Sequence, residues 1–123
     1  MMKIGIDIDG VITDIPELFK SITNFGNHEI HIITYRDPKN RQDIIDLLKS
    51  SYIRYDHLHI APDDASMIEW KKAKIIELGI DVMIEDTPEI LASLPDNIHR
   101  IWVCSPKVYD LNKAIKGMRK SKR

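Results

Sequence analysis

A chain of 123 residues has the length of one domain, and 43% hydrophobic with 30% charged residues is enough to bury a core. With 18 basic and 19 acidic residues the net charge is −1, so nothing in the balance calls for a nucleic-acid polymer or an anionic membrane as partner. Cys104 is the single cysteine, which excludes an internal disulfide and suits a reducing compartment. No secretory h-region opens the chain and no apolar run approaches a membrane span, so a cytoplasmic location is expected.

In chain order, Ile4, Ile6 and Ile8 alternate with Gly5, Asp7 and Asp9, the period of a strand rich in β-branched residues. Gly10 then lets the backbone turn. Asp14 is a candidate cap for a helix with Pro16 in its first turn and with Leu18, Phe19 and Ile22 on it. His31–Thr34 is a second strand. Asp37-Pro38 opens a helix whose apolar face holds Ile44, Ile45, Leu47 and Leu48. His57–Ala61 is a weaker third strand, ended by Pro62. Asp63, Asp64 and Ser66 are candidate caps for a helix that runs to Leu78 and stops at Gly79. Ile80–Ile84 is the fourth strand, Thr87-Pro88-Glu89 caps a short helix, and Arg100–Cys104 is the fifth strand. Asp110 to about Met118 reads as a last helix, and 119–123 as a basic tail.

Strands alternating with helices of about ten residues predict an α/β, Rossmann-like three-layer sandwich with a mainly parallel five-stranded sheet, built as a single domain over 1–118. Ligands of such sheets bind beyond the carboxyl ends of the strands. Asp7 and Asp9 end the first strand there, Thr34 the second, and Glu85-Asp86 the fourth. On a pleated strand residues i and i+2 share a side, so Asp7 and Asp9 are expected to crowd together and to need a cation or a shared proton. The chemistry this suggests is metal-assisted, with one carboxylate attacking and another moving a proton.

These residues resemble the haloacid dehalogenase-like superfamily, most of whose members are magnesium-dependent phosphohydrolases. Ile4 through Val11 matches its first motif, an apolar strand running into Asp-x-Asp-Gly-Val. Ile32-Ile33-Thr34 matches the second, and Val82-Met83-Ile84-Glu85-Asp86 matches the acidic fourth. The family's third motif is a lysine on the helix before the acidic strand, where Lys71, Lys72 and Lys74 compete. At roughly 100° per residue, Lys71 falls inside the apolar face formed by Met67, Ile68, Ile75 and Leu78, while Lys72 and Lys74 lie at its borders. Lys71 is therefore favoured, with Lys72 kept as the alternative.

The resemblance implies Asp7 as nucleophile and Asp9 as general acid and base. It implies Mg²⁺ held by Asp7, the main-chain carbonyl of Asp9, and Asp86, with Thr34 and Lys71 on the phosphoryl oxygens. Glu85 would support the metal from behind or through water. An acid at Asp9 argues for a phosphatase over a dehalogenase. The stretches from Asp7 to Thr34 and from Thr34 to Lys71 are too short to hold an inserted cap domain. Tyr35 and Arg36, before Asp37-Pro38, resemble the matching turn of the 5′-nucleotidase-like branch, as does Ser105-Pro106, and Arg36 is a candidate for a second anionic group of the substrate. A small phosphorylated substrate is expected, and a homo-oligomer that covers the open site.

His57 and His59 share a strand face at a spacing also used for zinc, but with no cysteine or third histidine near in sequence they are assigned a structural role. His28, His31 and His99 carry no further pattern. Trp70 and Trp102 are read as packing residues, with Trp70 equally placed to line the pocket mouth. Two rivals stand beside the phosphohydrolase: a receiver-type phosphoacceptor domain, and an idle relative that only binds. A receiver needs its aspartate at the end of strand three, where this chain has Ala61-Pro62.

Overall fold

The computed structural model describes residues 1–106, 110, 112 and 113. The expected last helix (but for 110, 112 and 113) and the basic tail lie outside the described residues. Within them run β1 (Lys3–Ile6), α1 (Pro16–Asn24), β2 (Glu29–Thr34), α2 (Arg41–Ser50), β3 (His57–Ile60), α3 (Met67–Leu78), β4 (Val82–Glu85), α4 (Pro88–Ser93) and β5 (His99–Trp102). The five strands form one sheet in the order β3-β2-β1-β4-β5, and every pairing is parallel. This is the expected α/β architecture, and no inserted domain interrupts it among the described residues. No helix among them is long and apolar enough to cross a membrane.

The pleat divides the core in two. Ile4, Ile6, Ile30, Ile32 and Ile84 point to one face and pack with Phe19 of α1 and Ile44 and Leu48 of α2. Ile33 and Met83 point to the other and pack with Ile75 of α3 and Ile90 and Leu91 of α4. Each fully buried aliphatic side chain contributes roughly 1.5–3 kcal/mol relative to exposure. Gly5 faces the second layer, where a Cβ would stand 2.7 Å from the Met83 sulfur. Its missing side chain is what lets that layer close on the middle of the sheet.

Several boundaries differ from the periodicity. β1 ends at Ile6, and after Asp7 the chain leaves the sheet for a wide, kinked helical turn over Ile8–Ile12 whose Ile8, Val11 and Ile12 are buried. Asp14 does not cap α1: the residue before its first turn is Ile15, with no side-chain cap bond, and Pro16 fills a position that needs no donor. Leu18 and Ile68 lie outside the core, 47% and 38% exposed. Asp37 caps a short 3₁₀ turn over Pro38–Asn40 by accepting from the Lys39 amide at 2.9 Å, and α2 proper begins at Arg41. Ser66, not Asp63 or Asp64, occupies the cap position of α3, though without a cap bond, and neither does Thr87 make one at α4. Gly79 ends α3 in the left-handed conformation, φ 68°. β4 is displaced toward its carboxyl end, starting at Val82 and including Glu85, while β5 runs from His99 to Trp102.

Candidate active site

β1 is the central strand, and the chain crosses from its β2 side to its β4 side between β3 and β4. The carboxyl ends of β1 and β4 therefore flank the point where the strand order reverses, the usual place for a ligand in such a sheet. The Asp7 amide extends the β1–β4 ladder by donating to the Ile84 carbonyl at 3.1 Å. Its side chain takes the same face as Gly5, toward α3, and is buried.

There Lys71 meets it. The Lys71 ammonium lies 2.9 Å from Asp7 Oδ1 and 2.9 Å from Glu85 Oε2, and all three side chains are buried. The other Glu85 oxygen accepts from the amides of Asp86 at 3.2 Å and Thr87 at 3.4 Å. Lys71 is thus the lysine that meets Asp7 and Glu85, whereas Lys72 is exposed. Glu85 contacts Lys71 directly, beside Asp7.

Two buried carboxylates sharing one ammonium leave negative charge uncompensated. Burial pushes the Asp7 carboxyl up from its ordinary value, against the pull of Lys71. Burial and then the Asp7 charge push Glu85 up to about 9. For Lys71 burial works downward, but Asp7 and Glu85 outweigh it and the ammonium pKa rises.

Asp86 completes the cluster. Its carboxylate fills the space a side chain at position 10 would need: a Cβ on Gly10 would stand 2.1 Å from Asp86 Oδ2. Gly10 also holds φ 76°, a region costly to residues with a Cβ. The Gly10 amide donates to Thr13 Oγ at 3.0 Å, which fixes the loop. The Asp86 carbonyl accepts from the Trp102 indole at 2.9 Å, so the β5 tryptophan positions the acidic loop instead of serving as packing alone. The Glu85–Trp102 register across β4 and β5 brings the two together, a relation that single-strand periodicity does not carry.

Asp9 behaves differently from expectation. Because β1 stops at Ile6, Asp7 and Asp9 do not share a strand face, and the two carboxylates have separate cationic partners. Asp9 is exposed and gripped by Arg36, with Nε to Oδ2 at 3.0 Å and Nη2 to Oδ1 at 2.8 Å. That fork holds the Asp9 carboxyl below the ordinary carboxylate range. Thr34 is buried at the end of β2, and its hydroxyl oxygen accepts from the Arg36 amide at 3.3 Å. The Tyr35 hydroxyl donates to the Ala65 carbonyl. Tyr35, Arg36, Pro38, Pro62 and Asp63 line a cleft of about 230 Å³, and Arg36 joins it to Asp9. A larger cavity, which Trp70 lines with Pro38, His59 and Lys74, wraps the β3 edge and holds none of the expected catalytic residues.

The donor set fits a hard divalent cation. Asp7, Glu85 and Asp86 each offer an oxygen, and these atoms lie within 4.8 Å of one another. Three carboxyl groups beside one ammonium can hold a divalent ion once Glu85 gives up its proton, and all-oxygen donors suit Mg²⁺. The Asp9 side chain is not among them. No family model matches the chain, and comparison with curated proteins finds no match either.

Proposed function

We propose that this chain is a magnesium-dependent phosphohydrolase of the haloacid dehalogenase-like type, capless and nearest in its motifs to the 5′-nucleotidase-like branch, acting on a small phosphomonoester in the cytoplasm. The observation that carries the reading is the buried Asp7–Lys71–Glu85 cluster beside Asp86, at the switch point of a parallel sheet. A buried, ion-paired carboxylate at the carboxyl end of a central strand is arranged for nucleophilic work more than for stability.

In this mechanism an Asp7 oxygen attacks phosphorus while the ester P–O bond breaks, and Asp9 gives its proton to the departing oxygen. Asp9 then takes a proton from water as that water attacks phosphorus and the Asp7–phosphorus bond breaks, releasing phosphate and restoring both residues. Asp7, Glu85 and Asp86 would hold Mg²⁺, which when bound would supply positive charge near the phosphoryl oxygens. Lys71 keeps Asp7 ionised and oriented, and Thr34 offers its hydroxyl to a phosphoryl oxygen. Arg36 must loosen its hold before Asp9 can act as an acid. A second anionic group on the substrate, drawing the guanidinium across the cleft, supplies that release. A receiver-type domain fits poorly, since β3 ends at Ile60 with Ala61 and Pro62 following and no carboxylate there.

A panel of nucleotides, sugar phosphates and phosphopeptides with Mg²⁺ tests the reading. Turnover of a phosphomonoester that disappears in Asp7→Asn, with the fold retained by circular dichroism, is expected. Undiminished turnover in Asp7→Asn would overturn the covalent route, and no turnover on any member would favour the binding-only relative. Light scattering tests the homo-oligomer proposed to cover the cleft; a strict monomer active on small substrates removes the need for one.

A further inference from the structure

Parallel pairing assembles a second cluster that sequence spacing could not reveal. His31 on β2 lies in register with His57 on β3, and His59 follows two residues on. Glu29 and His31 also differ by two, so these four side chains share one face of the sheet. The rings of His31 and His57 stack with centroids 4.7 Å apart, and those of His31 and His59 at 5.2 Å. His31 is buried, and both its nitrogens are engaged: Nε2 lies 2.6 Å from Glu29 Oε2, and Nδ1 lies 3.0 Å from His59 Nε2. Ligand atoms of Glu29, His31 and His57 lie within 4.8 Å of one another. His57 is exposed and Glu29 partly so, which leaves an entry path from solvent.

We propose that Glu29, His31 and His57 form a zinc site, separate from the carboxylate cluster. When His31 carries its proton on Nδ1 it donates to His59, and Nε2 then turns a lone pair toward Glu29. Without metal the 2.6 Å contact is satisfied by a proton on Nε2 donated to Glu29, and Zn²⁺ would displace that proton, leaving Nε2 and the carboxylate as ligands. His59 in this arrangement orients His31 through its second nitrogen, the usual support behind a metal-bound imidazole. Two imidazoles and one carboxylate are donors for a borderline-soft ion such as Zn²⁺, with a fourth position for water, and are poor donors for Mg²⁺. His31 precedes Thr34 by three residues, about 10 Å along the strand, so no one ion serves both clusters. Bound zinc ties the edge strand β3 to β2, and its role is to clamp that edge.

The test is calorimetric titration of tag-free protein with Zn²⁺, in excess Mg²⁺ so that the oxygen site is occupied, alongside Co²⁺ absorption spectra. One ion per chain is expected, with Co²⁺ bands of tetrahedral intensity and a rise in melting temperature. His57→Ala removes an exposed ligand and is expected to keep the fold, checked by circular dichroism, while weakening Zn²⁺ by more than about tenfold. Glu29→Gln is expected to do the same, and Asp86→Asn to change nothing. Absence of binding, binding indifferent to His57→Ala and Glu29→Gln, or binding lost in Asp86→Asn would each overturn the proposal. The last outcome would place the ion among the carboxylates, and none of these readouts depends on phosphatase activity.

Discussion

The Arg36 guanidinium holds Asp9 through two parallel hydrogen bonds, of 2.8 and 3.0 Å, across the mouth of the cleft. The Asp9 side chain is 61% exposed and that of Arg36 30%, so solvent screens the pair and it is worth no more than about 1 kcal/mol to the fold. Its main effect is on protonation. Arg36→Ala should let the Asp9 pKa rise toward its ordinary value, visible in a carbon-detected NMR titration, with little change in melting temperature. A large loss of stability would make Arg36 a structural residue instead.

Asp9 and Asp86 should separate acid–base work from metal binding. Asp9→Asn is expected to slow turnover by roughly 10²–10⁴-fold, the usual worth of a positioned acid and base. Mg²⁺ affinity, followed by calorimetry, should fall far more in Asp86→Asn. Equal loss of affinity in both variants would mean that the roles are wrongly divided.

Removing Lys71 strands the buried Asp7 carboxylate and leaves Glu85 without its ammonium partner. Lys71→Met should cost about 3–5 kcal/mol in urea unfolding, the usual cost of breaking a buried pair from one side. Adding Glu85→Gln should cost less than it does alone, because the Lys71–Glu85 hydrogen bond is already gone. Strict additivity of the two substitutions would show that they do not interact.

Gly10 admits no side chain without moving Asp86. In Gly10→Ala the left-handed φ costs about 1–2 kcal/mol, and the methyl group displaces the carboxylate. The decisive readout is the Mg²⁺-induced rise in melting temperature, which should shrink in this variant. If the rise is unchanged, Asp86 does not hold the ion.

Stability should depend on pH through Glu85. Its unfolded value is 4.5 and its folded value about 9, so between them the folded state holds a proton that the unfolded state has lost. Stability of the metal-free protein should therefore be greatest below the unfolded value and decline as pH rises through that window. Glu85→Gln should flatten the decline, and Mg²⁺ should offset it at alkaline pH by binding the folded state alone. Melting curves in chelator from pH 5 to 9 give the comparison, and a decline that persists unchanged in Glu85→Gln would assign it to another group.

Local patterning determined a good deal on its own. The order of strands and helices, the parallel sheet, and the gathering of Asp7, Thr34, Glu85 and Asp86 at one edge follow from alternation of apolar residues and from the rule that βα loops lie at carboxyl ends. Lys71 was legible too, because a lysine inside an apolar helical stripe must meet a buried negative partner. Other features needed the tertiary structure, since they depend on where strands stop and which strands are neighbours. Ending β1 at Ile6 turned Asp9 away from Asp7 and toward Arg36. The β4–β5 register put the Trp102 indole on the Asp86 carbonyl, and the β2–β3 register put His31 against His57 and His59. Register is a relation between two segments, set by packing of the whole sheet, and neither segment carries it alone.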